Sequence, residues 1–256
     1  MLASMHRLLA LSLALTLPAL AEPPKLVIEK GTHIAILGSG FADRLQHTPW
    51  FEAHLHKRFS SQQLVVRNLG FSADEVTTWH RSQDFGSQDD WLNRTGADII
   101  FAFWGFNESF QGPDGIDQFK SDLATWIDAK RAQSYGGSPP QLALFSPIAA
   151  EETSNPDLPD VRPINQNLAL YTTAIQQVAI EKSVPFVDLF KPSLEMFARE
   201  DAQLTVNAIH LKDDGYQKLA ADMFVGLLGG DTAKLGSNLL DKINAKNEIW
   251  FSRYRT

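Results

Sequence analysis

Short apolar runs alternate with helically spaced apolar residues along nearly the whole chain, and this alternation limits the fold more than any other feature. The runs are His33–Leu37, Leu64–Leu69, Asp98–Phe103, Gln141–Phe145 and Pro185–Asp188, the first two closed by glycine. Runs so short and so continuously apolar read as parallel strands buried on both faces. Between them Ile116, Phe119, Leu123, Trp126 and Ile127 recur at helical spacing, as do Leu168, Tyr171, Ile175 and Val178. A further helix starts near Asp213 and carries Tyr216, Leu219, Ala220 and Phe224 on one side. Helices that cross over between strands predict an α/β fold, a three-layer α/β/α sandwich with a mainly parallel central sheet. Such sheets bind ligands at the carboxyl ends of their strands.

The two ends of the chain depart from that pattern. Arg7, the apolar run Leu8–Leu17 and the small-x-small triplet Ala19-Leu20-Ala21 follow the order of a secretory signal peptide, residues 1–21, cleaved after Ala21. The expectation is a secreted or periplasmic protein. The run is too short to span a bilayer comfortably, and no later stretch is apolar enough, so no membrane span is expected. Residues 22–230 then form one domain of ordinary size, interrupted by a Gly/Pro-rich turn at Ser134–Pro140. A longer acidic loop, Ala149–Pro163, either borders the site or covers the sheet edge. Residues 231–256 are a C-terminal extension whose aromatic end, Asn247–Arg255, either docks on the domain or begins a truncated segment.

Composition excludes several function classes. A net charge of −7 with no basic cluster argues against a nucleic-acid partner or an anionic membrane surface. The absence of cysteine rules out a disulfide framework, a thiol nucleophile and thiolate metal ligands, so stability must come from the core. His54 and His56 lie two apart on a predicted helix and cannot share a face, and no His-Glu-x-x-His segment occurs. No metal site and no cofactor are expected. Gly38-Ser39-Gly40 is a partial match to a dinucleotide loop, but Asp43 stands where the third glycine belongs. No Gly-x-Ser-x-Gly elbow is present.

Four blocks in chain order carry the chemistry. They are Leu37-Gly38-Ser39-Gly40-Phe41-Ala42-Asp43-Arg44 after the first strand and Asn68-Leu69-Gly70-Phe71-Ser72-Ala73-Asp74 after the second. Trp104-Gly105-Phe106-Asn107-Glu108 follows the third, and Asn207-Ala208-Ile209-His210-Leu211 precedes the last helix. Together they make the chain, from His33 to about Leu228, resemble the SGNH (GDSL-type) hydrolases, whose blocks run Gly-Asp-Ser, a block-two glycine, Gly-x-Asn-Asp and Asp-x-x-His. The resemblance implies a flavodoxin-like sandwich and hydrolysis of an ester or carbohydrate substrate, a small molecule or a sugar. It implies His210 as the base, with Gly70 N–H, the Asn107 amide and Gly40 N–H as donors to a developing oxyanion.

Two positions depart from the family pattern. Gly40 stands at the serine nucleophile with Ser39 at the neighbouring aspartate, and Asn207 stands at the aspartate that supports the histidine. Glycine has no side chain to acylate, and an amide orients an imidazole without stabilising its cation; in a serine-protease triad the same Asp→Asn change costs about four orders of magnitude in rate. Ser39 is one residue from the nucleophile position, and Ser72 is a more distant substitute. Asp43, Asp74, Glu75 and Glu108 also follow strand ends and could serve as paired carboxylates in glycoside cleavage, or simply as helix caps. Asp74, Glu108, Phe71 and Phe106 are the expected substrate contacts. Three readings stay open: a hydrolase with an altered site, a carboxylate-dependent glycosidase, and a catalytically silent binding or scaffold domain.

Overall fold

The computed structural model describes residues 24–199 and 203–255. The expected signal peptide lies outside them. Five parallel strands form the sheet: β1 (His33–Gly38), β2 (Val65–Asn68), β3 (Ile99–Phe103), β4 (Gln141–Phe145) and β5 (Phe186–Val187), in the order β2-β1-β3-β4-β5. This is the flavodoxin-like arrangement. Each strand falls within or next to one of the apolar runs, and all five side chains of β3 are buried, as a central parallel strand requires.

Helices cover both faces. They are α1 (Gly40–Arg44), α2 (Trp50–Arg58), α3 (Gln88–Thr95), α4 (Ile116–Arg131), α5 (Val161–Glu181), α6 (Phe190–Arg199), α7 (Asp213–Leu228) and α8 (Ser237–Arg255). Alternation along the strands sorts the core into two layers. Ile34, Ile36, Ile99, Phe101 and Phe103 pack with Phe51 and Leu55 of α2 and with Leu219, Met223 and Phe224 of α7. Ala35, Leu37, Ile100 and Ala102 face the other way, against Leu92 of α3, Leu123 and Ile127 of α4, and Ile175 and Val178 of α5. No helix among the described residues is long and apolar enough to cross a membrane.

The helices named from spacing do not include α3, α6 or α8, although Phe190, Leu194 and Phe197 of α6 do recur at helical spacing. For α3 the local signal is a capping box: Ser87 Oγ accepts from Asp90 N while Asp90 accepts from Ser87 N, and Gly96 ends the helix in the left-handed conformation. α8 docks its aromatic residues on the sheet edge. Tyr254 is fully buried, and the Trp250 and Tyr254 rings stack with centroids 5.7 Å apart.

The strand order reverses direction at β1, so the crevice between the carboxyl ends of β1 and β3 is the topological switch point of the sheet. At that end Gly38 has φ +139°, and a β-carbon there would lie 2.4 Å from the Phe103 carbonyl oxygen. Only glycine lets the two strand ends come this close.

Candidate active site

Blocks one, two and three leave the ends of β1, β2 and β3, and the fourth block returns to them through the loop before α7. Between them lies a cavity of about 180 Å³, lined on its apolar side by Phe41, Phe103, Phe106, Ile148 and Tyr216. Its polar side includes Ser39, Gly40, Ser72, Asn107, Ser146 and His210, and Ala73 also lines it.

The loop that carries His210 is fixed at both ends. An isolated antiparallel bridge joins Thr205 to Leu211, Val206 N–H donates to the His210 carbonyl at 2.8 Å, and Lys212 N–H donates to the Leu204 carbonyl at 2.8 Å. The chain turns inside this bridge through Ala208, at φ +69°. A second brace comes from the loop after β4. The buried carboxylate of Glu151 accepts from Leu204 N–H and Thr205 N–H, both at 2.8 Å, and from the Thr205 hydroxyl. The Glu151 N–H in turn donates to the Ala208 carbonyl at 2.7 Å. The start of the acidic loop therefore borders the site through the histidine turn.

Asn207 sets the tautomer of His210. Its Oδ1 accepts from His210 N–H at 3.0 Å and stands 3.0 Å from His210 Nδ1. A backbone N–H can only donate, so the shared atom is the amide oxygen and Nδ1 must carry a hydrogen. Nε2 is left with its lone pair facing Gly40. Burial holds the His210 pKa below the ordinary histidine value, Arg44 adds to the depression and Asp43 opposes it. The imidazole is neutral near pH 7 and able to take a proton.

Gly40 opens α1 beneath that lone pair. A β-carbon built on it would lie 3.3 Å from His210 Nε2 and 3.9 Å from Ser72 Oγ. The direction a side chain would take from residue 40 thus points at the base. Ser39 is buried against the cavity, but its hydroxyl makes no capping bond to α1 and has no base bonded to it among the described residues. The Ser72 hydroxyl donates to Asp43 Oδ2 at 2.7 Å, and Ser72 N–H donates to the same oxygen at 3.1 Å.

The remaining sequence-derived positions separate into those that reach the cavity and those that do not. Asn107 does: its Nδ2 donates to the Asp74 carbonyl at 3.1 Å, which orients the amide and leaves its second hydrogen available. Phe106 lines the cavity and meets Phe110 edge-on at 5.6 Å between centroids. Gly70 does not line it. Its N–H donates to Asn68 Oδ1 at 2.9 Å, and a β-carbon there would be 2.9 Å from Asp43 N, so this glycine serves the close approach of block two to α1. Block two reaches the cavity at Ser72 and Ala73, and Ala73 has φ +71°, a conformation glycine would adopt more readily.

Asp74, Phe71 and Glu108 stand apart from the cavity as well. Asp74 is buried in a two-oxygen pair with Arg81, at 2.7 and 2.9 Å, and the guanidinium lies between the rings of Trp79, 3.7 Å from its centroid, and Phe71, at 4.0 Å. Burial raises the Asp74 pKa, with Arg81 opposing. Glu108 accepts from Gly105 N–H at 2.9 Å and Val76 N–H at 3.0 Å, tying block three to the segment just after block two, and burial lifts its pKa to about 7. Its role is to hold the two loops in register. No carboxylate lines the cavity among the described residues, so the paired-carboxylate arrangement of a glycosidase is not assembled there. Sequence reasoning missed Glu151, whose partners lie more than fifty positions away, and Ala73, whose backbone angle no residue type announces.

Residues 37–218 match the sequence model of the GDSL-like lipase/acylhydrolase family. A catalytic variant of an acetylxylan esterase from Geobacillus stearothermophilus superposes with a TM-score of 0.61 at 16% identity, over 82% of this chain and 100% of that one. An α/β hydrolase enzyme from the metagenome of Lake Arreo, Spain, superposes with a TM-score of 0.56 at 17% identity, over 78% of this chain and 97% of that one. A gut microbial diltiazem-metabolizing enzyme gives a TM-score of 0.60 at 15% identity, over 80% of this chain and 48% of that one. At such identities these likenesses establish the fold. A search of curated protein sequences returns no match. The family match spans most of the chain and the sheet order agrees with it: the protein belongs to the GDSL-like lipase/acylhydrolase family.

Proposed function

We propose that the protein is an exported ester hydrolase that removes a small acyl group, with a carbohydrate as the class of carrier, and that it works through an altered GDSL-type site. One observation carries this reading: a neutral, tautomer-fixed His210 directs Nε2 at the space beside Gly40, within a cavity that Asn107 and Ala73 also line. The cavity, about 180 Å³, is small beside the 300–1,000 Å³ typical of drug-sized ligands and suits a short acyl group at the end of a larger molecule. The likeness to acetylxylan esterases supports a sugar ester as the first substrate class to assay. His210 is the base. Gly40 N–H, Ala73 N–H and Asn107 Nδ2 are the oxyanion donors, with Ala73 in the place first expected of Gly70. Residues 1–21 are the export signal, and residues 22–230 with the docked α8 form the working unit.

The test is hydrolysis of acetylated xylo-oligosaccharides and 4-nitrophenyl acetate by the purified chain, compared with His210→Ala. Removing a general base costs roughly 10²–10⁴ in rate, so the variant is expected to lose cleavage by that factor while keeping its fold by circular dichroism. Equal rates in the two proteins would sink the hydrolase reading. A silent binding domain is the second reading, favoured by the loss of both the side chain at Gly40 and the charge at Asn207. It predicts saturable binding of the sugar ester by calorimetry with no release of acid.

A further inference from the structure

Resting on the hydrolase reading, we propose that the ester is cleaved by direct attack of water held between His210 Nε2 and Ser72 Oγ, with no acyl-enzyme. The missing side chain at residue 40 leaves two polar atoms converging on one region, His210 Nε2 at 3.3 Å and Ser72 Oγ at 3.9 Å from where a β-carbon would be. Their hydrogen-bond roles complement each other. The Ser72 hydrogen is directed to Asp43 Oδ2, 2.7 Å away, so Ser72 offers lone pairs to the cavity; His210 Nδ1 holds the ring hydrogen, so Nε2 also offers a lone pair. A water has two hydrogens to give to these two acceptors, and its own lone pair is then left to face the substrate carbonyl. The same orientation argues against Ser72 as the nucleophile, because its proton points at Asp43 and away from the imidazole. Ser39 has no base bonded to it among the described residues.

The step balances without any further reagent. The water oxygen bonds to the carbonyl carbon as one water proton passes to His210 Nε2. The carbonyl oxygen becomes the oxyanion, facing the Asn107 amide and the backbone N–H groups of Gly40 and Ala73. The tetrahedral species then collapses, the bond to the alcohol oxygen breaks, and His210 returns the proton to that oxygen. The products are the free acid and the free alcohol, and the imidazole is restored to its starting form. Ser72 is a catalytic residue in this scheme because it touches the attacking water, and Asp43 is a positioning residue acting through Ser72.

The experiment uses the full chain with 4-nitrophenyl acetate under rapid quench, read by intact-protein mass and by the early time course of nitrophenol release. The wild type is expected to show steady release from the first turnover, no acetylated protein and no labelling by a fluorophosphonate. Gly40→Ser restores a nucleophile and is expected to show an initial burst, with acetyl on residue 40. Ser72→Ala is expected to lower kcat roughly 10- to 100-fold with little change in KM, and Ser72→Thr, which keeps the hydroxyl, to recover most of it. Asp43→Asn is expected to lower kcat less and to be additive with nothing further in the Ser72→Ala background. Acetylation of Ser39 or Ser72 in the wild type, or an unchanged kcat in Ser72→Ala, overturns the water mechanism and leaves the hydrolase reading standing. No ester cleavage by the wild type overturns both.

Discussion

At Asn207 a single amide oxygen does two things, capping the turn through His210 N–H and selecting the Nδ1–H tautomer. It does neither with charge. When His210 takes a proton, no charge at Nδ1 stabilises the cation, and burial with the Arg44 charge disfavours it against the opposing Asp43. Activity of the wild type is therefore expected to rise with pH along a curve centred below the ordinary histidine value and to be level by neutrality. Asn207→Asp places an anion against Nδ1, which favours the imidazolium, so the midpoint moves up in pH and the plateau rate rises. A pH–rate profile of the two proteins checks the sign. The residue scale is also where sequence reading did best and worst. His210, Asn207, Asn107 and Gly40 each sit at a fixed offset within a block, and the fold brings them together, three lining one cavity and Asn207 bonded to His210. Gly70 was misleading because the glycine that drew notice is needed for packing, while the strained backbone belongs to Ala73, where nothing in the residue type signals it. Asp74 and Glu108 looked available for substrate because a carboxylate after a strand gives no sign of whether Arg81 or a pair of amide hydrogens already holds it.

Among the elements, α8 shows how a polar-looking segment can be structural. Lys246, Trp250 and Tyr254 recur at intervals of four and so share one helix face. Each donates to a carbonyl at the open edge of the sheet: Lys246 Nζ to Val66 at 3.2 Å, Trp250 Nε1 to Asn68 at 2.7 Å and Tyr254 Oη to Leu69 at 2.8 Å. β2 is an edge strand, and unpaired edge groups invite pairing with another chain. Lys246 also joins Glu52, whose buried carboxylate is held below its ordinary pKa by His56 and Lys246 against the cost of burial. Trp250→Ala removes a large, half-buried ring and one of the three donors, and is expected to destabilise the protein by about 1–3 kcal/mol in urea unfolding and to promote self-association in size-exclusion chromatography. Loss of the hydrogen bond alone, in Trp250→Phe, is expected to cost about 1 kcal/mol. The helix was invisible to periodicity because its apolar and polar residues bury together. The strands and the helices of the two core layers, by contrast, carry single-sided or continuous apolar patterns.

For the molecule as a whole, the site is assembled where three crossovers of a parallel sheet bring together loops that are distant in sequence. Glu108 is the cross-member between two of them, and its high pKa makes the fold sensitive to pH. The carboxyl titrates near 4.5 when unfolded and near 7 when folded, so the folded state binds the proton more tightly. Its stabilising contribution is fully present below about pH 4.5 and is lost as pH rises through about 7, an effect of roughly 3 kcal/mol. Glu108→Gln is expected to flatten the dependence of unfolding free energy on pH across that window, measured by urea titration at a series of pH values. The parallel sheet, with its cleft at the carboxyl ends of the strands, followed from the alternation of runs, and the flavodoxin-like order from the resemblance to the SGNH hydrolases. The contacts that lock the loops did not, because Glu151 meets Leu204 and Glu108 meets Val76 only after the crossovers have formed. The cover that α8 gives to β2 also has a cost in time. The carbonyls of Val66, Asn68 and Leu69 are made 180 to 185 residues before their α8 donors, and although Arg67 at 3.0 Å and Arg81 at 3.5 Å also reach the first and third, the Asn68 carbonyl is bonded by Trp250. At a synthesis rate of about 5–20 residues per second, that edge waits on the order of 10–40 s for its partner. A nascent chain is thus exposed to mispairing through most of its own production, and chains released before α8 is complete are the ones expected to aggregate.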